Sequence, residues 1–495
     1  MLKKKKLLMF ISILLTLSLL AACGTTDENG VEENGVEENG ETEAPEEEAN
    51  VMDADVLVVG GGGAGLASAI VAAEEGASVI LVEKLGVLGG STLLSGGILH
   101  AAESPVQERA DIEESWEDFA EYWMEMSEGE ADEEMVNYIA QQSGENIAWL
   151  EEKGVVFNED LTAEGISPAM RGHHAENGGP GIINPLVQSA EDLGVEILRN
   201  TTVTDLILDD DGTVIGAEGE NNGGEAYTFN AKAVILATGG FSQSPEMIDE
   251  YAPTASGQFC YAASGNVGDG LRMAKDAGAD IVAKDGVIGF RGVSPDRSYR
   301  DPLGGLVFVP NLYVDEQGER FMNEANYYAL MYEDMVENES DEFYSIFSGE
   351  VPVEPLEEGV EEGYVVKAET FEALAEAMEV PVENFLATVE RFNELAEAGE
   401  DEDFGNPAIA PIEEGELYAL KVLPATLGSF GGPRVNLQGE VLDGEGDPIP
   451  GLYAAGEVAN GQLYKSVYPA SGTSITAVFV MARDAGREAA LSTMD

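Results

Sequence analysis

The chain has 495 residues, enough for two or three packed domains, and its 44% apolar and 24% charged residues are those of a globular protein. Lys and Arg number 24 against 95 Asp and Glu, a formal charge of −71; phosphate backbones repel such a polyanion, which sets nucleic-acid binding aside. Two cysteines and three histidines offer no CxxC pair, haem attachment or zinc cluster, so any redox chemistry needs a non-covalent organic cofactor or a partner protein.

Residues 1–22 read as an export signal: Lys3 to Lys6, an apolar run from Leu7 to Leu20, then small residues. The run is short for a membrane span. Leu20-Ala21-Ala22-Cys23 resembles the lipobox of bacterial lipoproteins, which implies lipidation of Cys23 and anchoring to the outer face of the cytoplasmic membrane. Residues 23–51 repeat Glu-Asn-Gly-Val-Glu, hold eleven acids and no base, and are expected to be a disordered tether.

At Asp55 the pattern changes. Val56 to Val59 is a short apolar run suited to a strand buried on both faces, and it enters Gly60-Gly61-Gly62-Gly63-Ala64-Gly65, a helical stretch from Leu66 to Glu75, and a second strand, Val79 to Val82, ending at Glu83. This is the βαβ fingerprint of a dinucleotide site. Gly60 serves the turn, Gly62 the approach of backbone to pyrophosphate and Gly65 the helix packing, with Gly63, Ala64 and Lys84 alongside. The helix N-terminus offers N–H groups to phosphates, and Glu83 accepts ribose hydroxyls, which disfavours NADP and leaves FAD or NAD.

Later segments favour FAD. Gly90, Ser91, Ser95, Gly96 and Gly97 put small residues where a flat ring could lie against backbone. A second buried strand ends at Ala237-Thr238-Gly239, a third at Gly456-Glu457, and Ser471-Gly472-Thr473-Ser474 opens a last helix to about Ala490. Its N-terminus would stabilise negative charge on a reduced flavin. Stretches 369–379 and 382–398 look amphipathic and read as structural cover.

These segments, with "GGFSQSPEM" (Gly239 to Met247), "GNVGDGLRMAKDAGA" (Gly265 to Ala279) and "GERFMNE" (Gly318 to Glu324), resemble the fumarate reductase and succinate dehydrogenase flavoprotein superfamily from about residue 54 to 490. The resemblance implies an α/β fold: a Rossmann-like FAD-binding domain, of the glutathione-reductase kind, with an inserted α+β capping domain. The expected boundaries are 52–257 and 426–495 for the FAD-binding domain and 258–425 for the cap. It also implies non-covalent FAD contacts from the glycines above, Glu83, Val203, Asp269, Glu457, Ser474 and Ile475.

Substrate residues of soluble fumarate reductases are replaced. The position of their catalytic Arg is Tyr328, their Gln-x-His-Pro-Thr reads Gly286 to Arg291, their His-Thr-Met-Gly-Gly reads Gly428 to Gly432, and their Asn-Arg-Leu-Gly-Gly reads Tyr468 to Gly472. Clamping a dicarboxylate needs charge-assisted bidentate partners, so these changes argue against fumarate. Tyr328, Tyr468-Pro469-Ala470-Ser471-Gly472 and Leu427 to Gly432 are similar to the 3-ketosteroid dehydrogenase branch, which implies that Tyr328 exchanges a proton with carbon while Tyr468 and the Gly472 N–H hold a ketone oxygen. The third tyrosine of that branch has no evident counterpart. His173-His174 sits in a polar loop with surface and site roles open, and Arg291, Arg297 and Arg300 could clamp an anionic substrate but are expected chiefly in ion pairs with neighbouring carboxylates.

The resulting expectation is an exported, lipid-anchored FAD enzyme that reduces an activated C=C bond of a small molecule, with electrons from a separate membrane or soluble donor. The alternatives are a ketosteroid-type dehydrogenase, a fumarate- or urocanate-like reductase, and a non-enzymatic electron relay.

Overall fold

The computed structural model describes residues 50–494 apart from 339 and 349–352. The export signal, Cys23 and all but the last two residues of the acidic tether lie outside the described residues. Those last two, Asn50 and Val51, are not tether: they begin strand β1 (Asn50–Val59). Asn50 to Ala54 add parallel pairing opposite Tyr227 to Ala231, and the Asp53 carboxylate accepts from Asn230 Nδ2 at 2.8 Å.

Four residues after β1 the chain enters helix α1 (Gly63–Glu74), then strand β2 (Val79–Glu83), which is buried throughout. Helix α2 (Gly179–Asp192) and strand β3 (Glu196–Arg199) follow, and β3 pairs in parallel with β2. Strands β4 (Thr201–Leu208), β5 (Val214–Asn221) and β6 (Ala226–Leu236) form an antiparallel meander whose last strand returns beside β1.

A second sheet comes from the next stretch of chain. Its elements are β7 (Phe259–Cys260), helix α3 (Asp269–Asp276), β8 (Ile281–Gly292), β9 (Tyr313–Val314), helix α4 (Tyr328–Glu337), β10 (Phe343–Ser348), β11 (Val365–Ala368), helices α5 (Phe371–Met378) and α6 (Val382–Ala398), and β12 (Leu417–Pro433). The seventeen-residue β12 is its spine, pairing with β7, β8, β10 and β11. It runs through position 425 without a break.

Strands β13 (Glu440–Leu442) and β14 (Pro448–Ala454) then complete the first sheet, and helix α7 (Thr473–Ser492) closes the chain. The first sheet has order β13-β14-β6-β1-β2-β3 with β4 and β5 attached, eight strands among the described residues. Residues 56–59 of β1, all of β2 and residues 233–236 of β6 are buried, so these central strands are apolar on both faces, as in the interior of parallel sheets.

Helix α1 is built from Gly, Ala, Ser and short aliphatics, ten of its twelve residues being buried. Small side chains let α7 approach closely: Ser68 Oγ donates to the Ala482 carbonyl at 2.9 Å, and a Cβ on Gly486 would stand 2.4 Å from the Ser68 carbonyl oxygen. Deep in the second sheet's region, Arg320 spans Glu324 and Asp401, two hydrogen bonds to each, and α4 starts just beyond this triad. Burial pushes the Asp401 carboxyl up, but Arg320 and the N–H groups of Asn406 and Phe404 outweigh it and hold it at about 2.

Candidate active site and cofactor cradle

A cavity of about 730 Å³ runs from the β1–α1 turn to the start of α7. At one end β1 stops at Val59 and Gly60 takes a φ of +107°, left-handed backbone that a side chain rarely adopts. A Cβ there would meet the Ala237 carbonyl oxygen at 2.4 Å, and one on Gly65 would stand 1.8 Å from the Gly60 carbonyl oxygen. Gly62 differs: a Cβ on it would have only the Gly89 oxygen, 4.0 Å away, so its backbone is bare toward the cavity.

Glu83, at the end of β2, receives the Gly61 N–H on Oε2 and the Leu85 N–H on Oε1, both at 2.7 Å. It thereby locks the turn to the neighbouring strand while still facing the cavity. The first turn of α1 holds no acidic residue, which leaves its N-terminal N–H groups free to favour an anion. Lys84 is paired to Asp269 at the start of α3, Nζ to Oδ2 at 2.6 Å, and both line the cavity.

Gly60, Gly62, Gly63, Ala64, Glu83, Lys84, Gly90, Ser91, Ser95, Gly96, Val203, Ala237, Thr238, Gly239, Asp269, Glu457, Ser474 and Ile475 all line the cavity. Gly65, Gly97 and Gly456 do not. Gly65 packs on Gly60, Gly97 on Gly178, and Gly456 on the Ala64 side chain. Their smallness serves chain crossings behind the wall. Glu457 is half-buried in the cavity wall, and desolvation pushes its carboxyl up; the Ser429 N–H, the Asn266 amide and the Gly240 N–H act against that.

Phenols gather at the other end. Tyr328 is the first residue of α4, and Tyr327 precedes it in extended conformation, so both rings enter one cavity with centroids 4.4 Å apart. Phe290 on β8 packs edge-on against Tyr328 at 5.4 Å. Tyr468 comes from the loop before α7, and its hydroxyl accepts the Ser474 N–H at 2.8 Å. Gly472, the N-cap of that helix, lines the same wall. Burial pushes the Tyr328 phenol up to about 12, the Tyr327 and Ser471 hydroxyls pulling the other way, and burial carries Tyr327 and Tyr468 well above the usual range. All three are neutral donors at physiological pH.

Tyr327 had no place in the sequence reading; its signal is a pair of adjacent tyrosines at a helix start. Tyr122, from the N-terminal half, supports this end from outside the cavity, donating to the Pro469 carbonyl at 2.6 Å. His173 and His174 end a short strand, Met170–His174, rather than sitting in a loop, and neither lines the cavity: His173 is buried between Ser104 and the Arg171 carbonyl, and His174 bonds Thr162. Arg297 is ion-paired with Asp301, Glu358 and Glu362, whereas Arg300 donates to the Ser95 carbonyl and Arg291 makes no ion pair among the described residues.

The profile of the FAD binding domain family matches residues 55–475. The chain belongs to this family. A urocanate reductase of Eggerthella lenta is 33% identical over 465 residues, with 88% of this chain and 75% of the relative aligned. A vinyl phenol reductase of Lactiplantibacillus plantarum is 31% identical over 478 residues, covering 88% of this chain and 96% of the relative. The solved 3-ketosteroid-delta4-(5alpha)-dehydrogenase of Rhodococcus jostii, in complex with 4-androstene-3,17-dione, aligns with a TM-score of 0.74 and 30% identity over 88% of this chain and 97% of its own. The protein is an FAD-dependent oxidoreductase acting on CH–CH groups, of the fumarate/urocanate reductase and ketosteroid dehydrogenase type. The residues of this oxidoreductase fit its cofactor: a bare glycine turn at a helix N-terminus free of acids, a carboxylate beside it, and small residues along the cavity toward the phenols.

Proposed function

We propose that this oxidoreductase reduces a carbon–carbon double bond conjugated to a carbonyl, an enone or enoate, at the outer face of the cytoplasmic membrane. The observation that carries the reading is the Tyr468 hydroxyl seated on the N-terminal N–H of Ser474, in one cavity with Tyr328. FAD, when bound and reduced, supplies the hydride for the carbon β to the carbonyl.

The Tyr468 oxygen accepts from the helix, so its own proton is free for the carbonyl oxygen on which charge builds. Such preorganised donors act most strongly where charge appears only in the transition state. The Gly472 N–H is a second donor at the same N-terminus. Tyr328 delivers a proton to the α-carbon, and hydride plus proton turn C=C into CH–CH. Burial keeps both phenols protonated and therefore able to give.

Electrons come from a separate donor, since the chain has two cysteines and no haem attachment sequence. Anchoring through Cys23 would place the enzyme where no NADH pool exists, and the reductase names of its relatives favour the same direction.

The test uses the holoprotein with its flavin reduced anaerobically, following the return of oxidised-flavin absorbance on adding fumarate, urocanate, cinnamate-type enoates or 3-keto-4-ene steroids. One class is expected to reoxidise it rapidly. Tyr328→Phe should slow that step at least about tenfold without changing flavin content, since positioned acid–base groups contribute about 10²–10⁴-fold. Silence across the panel, or an unchanged rate in Tyr328→Phe, overturns the reading.

A further inference from the structure

Arg291 stands apart in the charge balance of the cavity. The chain has 95 acidic residues against 24 basic ones, and the neighbouring buried cation, Arg320, is held by two carboxylates. Arg291 lines the cavity, is only 4% exposed, and makes one hydrogen bond, Nε to the Val307 carbonyl at 2.8 Å. Its Nη1 is buried with no hydrogen-bond partner among the described residues. Its guanidinium carbon lies 5.6 Å from the Phe308 ring centroid.

A guanidinium does not shed its proton in a protein, and a buried charge is costly unless paired. The Val307 carbonyl and the Phe308 ring fix the plane of this one, and its two terminal nitrogens have no acceptor among the described residues. Nη1 is enclosed by protein and Nε is taken by the Val307 carbonyl, which leaves Nη2 as the donor that can meet a carboxylate oxygen from the cavity, while the charge of the whole guanidinium favours the anion. Phe290, Tyr299 and Phe308 supply apolar wall around it.

We propose that Arg291 receives a carboxylate of the substrate, so that the acceptor is a keto acid or a comparable organic anion, with its carbonyl at Tyr468 and its acid group at Arg291. This rests on the reading of the cavity's phenol end as the substrate site. The site is built so that one matched pair forms when substrate enters, which selects against neutral analogues of the same shape: they would leave the guanidinium unpaired.

The test measures binding to the oxidised holoprotein by flavin difference absorbance and by calorimetry, with 3-benzoylpropionate and its amide as probes. No turnover is involved, so failure of the reductase reading and failure of this one are separate results. The wild type should bind the acid at least about tenfold more tightly than the amide. R291Q should abolish that preference with flavin content retained, and R291K, which keeps the charge but not the planar head fixed by the Val307 carbonyl, should weaken the acid at least about threefold and leave the amide unchanged. A wild-type preference below about twofold, or one that either variant leaves intact, overturns the proposal.

Discussion

Replacing Tyr468 by Phe removes one oxygen atom from the centre of the proposed chemistry, and the structure fixes what that atom does. It accepts the Ser474 N–H at 2.8 Å while lining the cavity. Its loss has two separable costs. The Ser474 N–H loses its acceptor in a part-buried setting, a destabilisation of about 0.5–1.5 kcal/mol. The transition state loses a donor to the developing oxyanion, a slowing of about 10²–10³ by comparison with other such donors. Tyr464→Phe is the control: that ring stacks between Trp123 and Phe430, its buried hydroxyl has no hydrogen-bond partner among the described residues, and it does not line the cavity. The assay is single-turnover reoxidation of anaerobically reduced holoprotein, with thermal unfolding alongside. Tyr468→Phe should lower both the rate and Tm, and Tyr464→Phe neither. A Tyr468→Phe rate within about threefold of wild type would refute the assignment of that hydroxyl to the carbonyl oxygen.

Because burial pushes Tyr328 up to about 12, C=C reduction needing its proton should show no alkaline limb from this group between about pH 7 and 10. The reverse reaction, measured with an artificial acceptor, needs the phenolate and should quicken about tenfold per pH unit over that window; a reductive limb below about pH 10 that vanishes in Tyr328→Phe would contradict the shift. Gly65→Ala places a Cβ 1.8 Å from the Gly60 carbonyl oxygen and should yield unstable, flavin-free protein. Gly62→Ala meets nothing nearer than 4.0 Å and should fold with near-normal apoprotein Tm but reduced flavin content, read from the ratio of flavin to protein absorbance.

The cradle was legible in the sequence because its constraints are local. From Val56 to Glu83 the strand, turn, helix and acid each follow from neighbours, and the structure joins them by Gly61 N–H to Glu83. Local reasoning could not tell a glycine that lines the cavity from one that packs behind it: Gly62 and Gly65 share a motif, yet one is bare and the other crowded. Tertiary placement decided the rest. Tyr327 shares a cavity with Tyr328, although adjacent side chains often diverge, because the chain is extended at Tyr327 and turns into α4 at Tyr328. The prior for an arginine in an acidic chain is an ion pair, which holds for Arg297 and not for Arg291; composition carries no information about which carboxylate a given side chain can reach. The start of β1 was hidden because Asn50 to Asp55 has no apolar run and is recruited by its pairing with residues 227–231.

The bond from Ser68 Oγ to the Ala482 carbonyl joins residues 414 apart in the chain. Helix α1, first behind the glycine turn, has its mate in α7, made only after residue 472, and β14, beside β6 in the first sheet, precedes that helix by a short stretch. The nucleotide-binding half therefore cannot complete its core until synthesis has passed α7, the regime in which non-local pairing slows the search and exposes intermediates to aggregation. A ribosome stalled before residue 473 would hold a chain with the full glycine signature and no competence to retain flavin, whereas a chain ending at residue 488 would keep most of α7 to seal it.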